Sequence, residues 1–299
     1  MITTRPIDTI ISAGWREQRV HANGVWQHIW RTGGGGAPLV ALPGFQEIGL
    51  TWARVAKRLE NDFDIIMVDF RGQGRTERGT ATYSQALLVQ DVVALLGELD
   101  LSSTSLIGFS NGAGVAAELA ATHPSLVARA VLEDPPWNAA RTAGLADSPQ
   151  YQEWHVRWLE WLERFQGADP VEQVAMIGSQ IPQAGAPWPN EELIAFAESY
   201  AQLDIDFVRN PAALWRVVNR PVESLLAEIR SPTLLLESTI RMPAVPPAPD
   251  ASARPPVPPN VTRVELDTGH FIRREQFDRY MTLVEPFLRA HAGARAEDG

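Results

Sequence analysis

The segment that most constrains the fold is Ser105-Leu106-Ile107-Gly108-Phe109-Ser110-Asn111-Gly112-Ala113-Gly114. Its first half is a short apolar run that suits a buried strand, and its second half opens an alanine-rich stretch that suits a helix. A strand that passes so abruptly into a helix has to turn sharply. Gly108 and Gly112 flank the turn, and without a Cβ they let strand and helix approach closely. Ser110 is thereby expected at the apex, its hydroxyl exposed at the carboxyl edge of a sheet. The helix starting behind it brings free N–H groups and a positive dipole end to the same spot, which favours negative charge there.

The rest of the chain supplies a sheet for that strand. Gln18 to Ala22 and Val25 to Arg31 read as a hairpin around Asn23-Gly24. Leu39 to Leu42 and Asp64 to Val68 read as strands buried on both faces, and Ala130 to Glu133 as the next strand. Between them, Trp52, Val55, Ala56 and Leu59 fall at helical spacing, and Ser84 to Leu99 carries a second apolar stripe. Such alternation predicts a mostly parallel, doubly wound α/β sheet. From Trp137 to Leu225 the strand signals stop, and three helices are expected, around Tyr151 to Phe165, Val171 to Ile177 and Glu191 to Leu203. Strands resume at Thr233 to Leu236 and Val261 to Leu266, and a helix from Arg274 to about His291 closes the chain. The expected organisation is a core of residues 1–136 and 226–299 interrupted by an all-helical cap at 137–225. Met242 to Asn260 holds eight prolines and is expected to be an extended surface loop.

Composition narrows the function classes. A net charge of −10 argues against nucleic acid or an anionic membrane as partner. The absence of cysteine removes disulfides, thiolate metal sites and cysteine nucleophiles. Neither an H-E-x-x-H pattern nor another metal signature occurs, and no cofactor is called for. The N-terminus lacks a signal-peptide core, and no apolar run approaches the ~18 residues of a membrane span. The expectation is a cytoplasmic protein; oligomeric state is not readable.

A serine hydroxyl needs a base, and the base needs an orienting partner. Of the six histidines, His270 follows the last strand directly, in Asp267-Thr268-Gly269-His270-Phe271, at the same sheet edge as Ser110. It is the expected base; His21, His28, His123, His155 and His291 lie elsewhere in the pattern. The acid should fall between serine and histidine in the chain. The stretch Leu236-Glu237-Ser238-Thr239-Ile240-Arg241 holds no aspartate, and Asp250 sits in the proline-rich segment. Leu132-Glu133-Asp134-Pro135-Pro136-Trp137 ends the neighbouring strand on two carboxylates and a rigid diproline. Asp134 is the expected acid, ahead of Glu133 and Glu237. The oxyanion donors are expected to be the backbone N–H groups of Asn111 and, from the loop Leu42-Pro43-Gly44-Phe45, of Phe45. Aromatic residues of the cap, Trp137 and Trp188 first among them, are expected to contact an apolar or aromatic substrate.

These motifs resemble the α/β-hydrolase superfamily over roughly residues 15–290. Leu42-Pro43-Gly44-Phe45 stands at its oxyanion loop, Asp69-Phe70-Arg71-Gly72-Gln73-Gly74 at its D-x-R-G-x-G turn, Gly108 to Gly112 at its nucleophile elbow, and Gly269-His270-Phe271 at its base loop. Glu133-Asp134-Pro135-Pro136 is similar to the subgroup whose acid follows the sixth strand, the hydrolases that open zearalenone-type macrolactones. The resemblance implies a cofactor-independent serine hydrolase that cleaves a carboxylic ester or lactone through an acyl-enzyme on Ser110. The same triad also serves carbon–carbon hydrolysis, perhydrolysis and acyl transfer, and the fold can serve as a small-molecule receptor.

Overall fold

The computed structural model describes residues 5–79, 83–135, 149–180, 187–209, 220, 222–240 and 256–296. Trp137, and the proline-rich stretch from 241 to 255 with Asp250, lie outside the described residues. The first elements are β1 (Arg16–Ala22), β2 (Val25–Arg31), β3 (Ala37–Leu42), α1 (Ala53–Leu59), β4 (Phe63–Val68), α2 (Gln85–Glu98), β5 (Thr104–Phe109), α3 (Asn111–Thr122) and β6 (Val127–Glu133). Helices follow: α4 (Pro149–Gly167), α5 (Pro170–Gln180), α6 (Asn190–Ala201), α7 (Ile205–Val208) and α8 (Val222–Leu226). The chain returns to the sheet with β7 (Thr233–Ser238) and β8 (Val261–Leu266), then ends in α9 (Ile272–Glu275) and α10 (Phe277–Ala296).

The eight strands form one sheet in the order β1-β2-β4-β3-β5-β6-β7-β8, parallel from β4 to β8. Only the hairpin β1–β2 and its junction with β4 are antiparallel. Strands β4 and β5 are buried at every residue, as continuous apolar runs under helices on both faces require. One apolar cluster packs β3, β4, β5 and β6 against α2, α3 and α8. The other packs the opposite face against α1 and α10. No helix among the described residues is long and apolar enough to cross a membrane.

The hairpin forms as expected, with Ala22 opposite Val25 and positive φ at Asn23 (49°) and Gly24 (74°). The final helix differs from expectation. It breaks at Gln276 (φ −135°, ψ 55°) into the short α9 and the long α10. The break lets Glu275 fold back to accept hydrogen bonds from Thr268 Oγ1 (2.7 Å) and Gly269 N (2.8 Å).

The D-x-R-G-x-G turn is structural. Arg71 donates to Asp91 at 2.8 Å, and Asp69 accepts from the Gly49 and Arg75 amides. His28 is buried between Asp69 (Nδ1, 2.7 Å) and Glu17 (Nε2, 2.9 Å); Arg75 pairs with Glu17, and the Trp30 ring stands edge-on. Burial opposes charge on this imidazole, but the two carboxylates outweigh it, and its pKa is raised from 6.5. A raised histidine stabilises the fold fully below its unfolded value and ceases to do so as pH climbs through the folded value. Wild-type protein should therefore lose urea resistance from about pH 6.5 upward relative to His28→Gln, whose midpoint should lack that component. Parallel midpoint-against-pH curves for the two would contradict this.

Candidate active site

Strand β3 is flanked by β4 on one side and β5 on the other, so the winding direction reverses between β3 and β5. Loops that leave the carboxyl ends at such a reversal diverge and open a crevice. The Pro43–Ile48 loop and Ser110 stand at that reversal, with Asp134 one strand over.

The serine turn is tight in the way its glycines require. A Cβ on Gly108 would stand 2.4 Å from the Gly112 carbonyl oxygen, and one on Gly112 would stand 2.3 Å from that of Leu42. Ser110 adopts φ 49° and ψ −115°, a sparsely populated region for a residue with a side chain. Its amide donates to the Glu133 carbonyl at 2.8 Å, and its carbonyl accepts from Gly114 N at 3.1 Å. The strained residue is thus clamped between β6 and α3. Gln46, in the loop after β3, and Asp134, directly after β6, also have positive φ, as do Asn23 and Asp100 elsewhere.

The structure brings His270 and Asp134 together. His270 Nδ1 is 2.6 Å from Asp134 Oδ2. Asp134 is fixed by three further contacts: its amide donates to Leu236 O (2.8 Å), Oδ1 accepts from Ser238 N (3.0 Å), and Oδ2 accepts from Ser238 Oγ (2.9 Å). With Nδ1 held by the carboxylate, Nε2 is the ring nitrogen left for proton transfer. The imidazole lies against Phe109, the residue before Ser110, with ring centroids 4.8 Å apart. The alternative acids are engaged elsewhere. Glu237 ends inside β7 and pairs with Arg263 at 3.0 Å. Glu133 accepts from Arg273 N (2.9 Å) and Nη1 (3.0 Å). Three other histidines also have local partners: Asp69 and Glu17 for His28, Val208 O for His155, and Thr122 for His123.

Phe45 and Asn111 stand on either side of the reversal. Within 41–50, only Phe45 and Gln46 are incompletely buried. Asn111 is the first residue of α3. Trp188 is buried between the helical insertion and the His270 loop, 4.9 Å from the Phe271 ring and 5.4 Å from that of Phe196.

Next to the His270 loop lies a buried charged group that the sequence pattern does not reveal. Glu47, Glu133, Glu192, Arg273 and Arg274 are all buried together. Arg273 pairs with Glu133 and Glu47; Arg274 pairs with Glu47 (2.7 Å) and Glu192 (3.2 Å). The Arg273 guanidinium also lies over Trp52 and Phe109, and that of Arg274 over Trp188 and Phe196. Burial pushes the Glu133 and Glu192 carboxyls up, only partly offset by the arginines. At Glu47 the two guanidiniums outweigh burial and hold the carboxyl below its usual 4.5. Removing one partner of a buried ion pair typically costs about 3–5 kcal/mol. The only sequence signal was charge inside apolar runs, as in Phe271-Ile272-Arg273-Arg274. Ser238, an ordinary serine in the sequence, carried none.

Comparison with known proteins follows the geometry. A family model described as alpha/beta hydrolase fold matches residues 37–176. N-formylmaleamate deformylase of Pseudomonas putida is 32% identical over 195 residues, which are 64% of this chain and 66% of that protein. The chain thus spans just under two thirds of that relative. A soluble epoxide hydrolase of a Corynebacterium species is 31% identical over 112 residues, 38% of this chain and 39% of that one. Among solved structures, an N-formylmaleamic acid deformylase of Pseudomonas putida superposes with TM-score 0.68 at 25% identity, over 90% of this chain and 100% of that one. An E-2-(acetamidomethylene)succinate hydrolase superposes with TM-score 0.69 at 18% identity, over 92% and 99%.

Proposed function

The chain belongs to the α/β-hydrolase superfamily, and from that premise we propose that it is a serine hydrolase acting on a carboxylic acyl bond, with Ser110, His270 and Asp134 as its triad. One observation carries the reading: a histidine on the loop after β8 gives its Nδ1 to a fully anchored aspartate at 2.6 Å and lays its ring against Phe109, the residue before a serine on a strained strand-to-helix turn.

His270 Nε2 takes the Ser110 proton as Oγ attacks the substrate carbonyl. The oxyanion is held by the backbone N–H groups of Asn111 and Phe45 at the head of α3, where the helix dipole adds to them. Asp134 stabilises the imidazolium, which then protonates the leaving group. Water, deprotonated by the same imidazole, cleaves the acyl-enzyme and restores Ser110.

An ester or lactone is the leading substrate. The acid after β6 is the arrangement of the lactone-opening subgroup that the sequence resembles, and Trp188 with its aromatic neighbours supplies an apolar wall. Hydrolysis of a C–N acyl bond is a second reading, favoured by the 32% identity to a deformylase. Both use one mechanism and differ in whether the protonated leaving group is an alcohol or, from an N-acyl substrate, an amine or amide.

A fluorophosphonate probe should label wild-type protein at Ser110, and His270→Ala should abolish labelling. No labelling of wild type, or labelling indifferent to His270, would sink the proposal. A panel of p-nitrophenyl esters, a resorcylic macrolactone and N-formyl amides then separates the two readings by kcat/KM.

A further inference from the structure

We propose that helix α6 of the insertion is a working part of the oxyanion site, with Ser199 and Glu47 as the positioning residues that hold the Pro43–Ile48 loop. The inference rests on the serine-hydrolase reading and on Phe45 N–H as an oxyanion donor.

The loop is pinned from two sides by buried groups. From below, Glu47 Oε2 accepts hydrogen bonds from Gly44 N (3.3 Å) and Thr51 Oγ1 (3.1 Å), while Glu47 N donates to Gly44 O (3.2 Å). Gly44 and Glu47 thus close a turn whose two central residues are Phe45 and Gln46. Gln46 sits at φ 65°, so the turn is held in a conformation that a free loop populates sparsely. From the insertion side, Ile48 N donates to Ser199 Oγ (3.2 Å) on α6, and Ser199 Oγ donates in turn to Ala195 O (2.8 Å). A second link runs from α6 through charge: Glu192 to Arg274 at 3.2 Å, and Arg274 to Glu47 at 2.7 Å. Arg274 lies four residues beyond His270, and Arg273 joins Glu47 to Glu133, the neighbour of Asp134.

One buried network therefore ties the oxyanion loop to the base loop, the acid strand and α6. The insertion thereby reaches the chemistry. Its α6 sets where the Phe45 N–H points, and an oxyanion donor displaced by a fraction of an ångström loses much of its worth in the transition state.

The test uses Ser199→Ala and Glu47→Gln in the full chain, with active sites titrated by the fluorophosphonate. Per titrated site, kcat on p-nitrophenyl butyrate should fall about 10- to 100-fold with little change in KM. Affinity for phenylboronic acid, which mimics the tetrahedral state, should fall in step with kcat. Ser199→Ala removes a single hydrogen bond and keeps the test readable where Glu47→Gln folds poorly. Lowered melting temperatures with wild-type kcat per site and wild-type boronate affinity would show a purely structural role and overturn the inference. Wild-type protein that neither labels nor turns over the ester would overturn the serine-hydrolase reading itself, and the inference with it.

Discussion

Asp134→Asn should lower kcat on an activated ester about 10⁴-fold while the protein stays folded. The cause lies in how Ser238 reads the carboxylate. Ser238 N–H is a fixed donor and demands an oxygen at the Oδ1 position. The asparagine amide nitrogen is thereby steered to the Oδ2 position, opposite His270 Nδ1. The Ser238 hydroxyl can rotate to accept from it. His270 Nδ1 would then have to accept a hydrogen bond, and the ring proton moves to Nε2. An imidazole protonated at Nε2 cannot take the proton of Ser110. Glu237→Gln, at the position after β7, should leave kcat close to wild type, because Glu237 is engaged with Arg263. The reverse pattern, Glu237→Gln inactive and Asp134→Asn active, would move the acid to β7.

Ser110→Ala should lose on the order of 10⁶-fold in kcat and still bind substrate. The proposed oxyanion donors, the Phe45 and Asn111 N–H groups, are untouched by the substitution, so a residual rate of about 10³-fold over water is expected. Ser110→Gly should be equally inactive yet unfold at a higher temperature than Ser110→Ala. A backbone at φ 49°, ψ −115° costs about 1–3 kcal/mol with a Cβ present, and glycine relieves it. Calorimetry of the two variants reads that difference. Equal melting temperatures would mean that the turn stores no strain. Activity retained in Ser110→Ala would remove serine from the chemistry.

The parts of the candidate site written in local pattern are legible in the sequence. Gly108 and Gly112 mark the turn because backbone atoms stand where their side chains would be. His270 was legible by position, directly after the last strand, and Asp134 by the diproline that follows it. The supporting residues were not. Ser238 reaches Asp134 across 104 positions of chain, and Arg273 reaches Glu133 across 140. What joins them is the parallel register of β6, β7 and β8, with Glu133 beside Leu236 and Ser238 beside Leu266. Strand periodicity reports which face a residue takes, and register between distant strands is invisible to it. The break at Gln276 escaped for a related reason. The helical pattern runs on through it, and only the return of Glu275 to Gly269 makes a turn there favourable.

The proposed triad is tested most directly by trapping the acyl-enzyme it implies. Protein turning over p-nitrophenyl acetate should be acid-quenched and digested, and the peptide carrying Ser110 weighed. Wild type should carry one acetyl group on Ser110, formed no more slowly than turnover, and Ser110→Ala should carry none and turn over negligibly. Steady turnover with no acetyl on Ser110, undiminished in Ser110→Ala, would contradict the account.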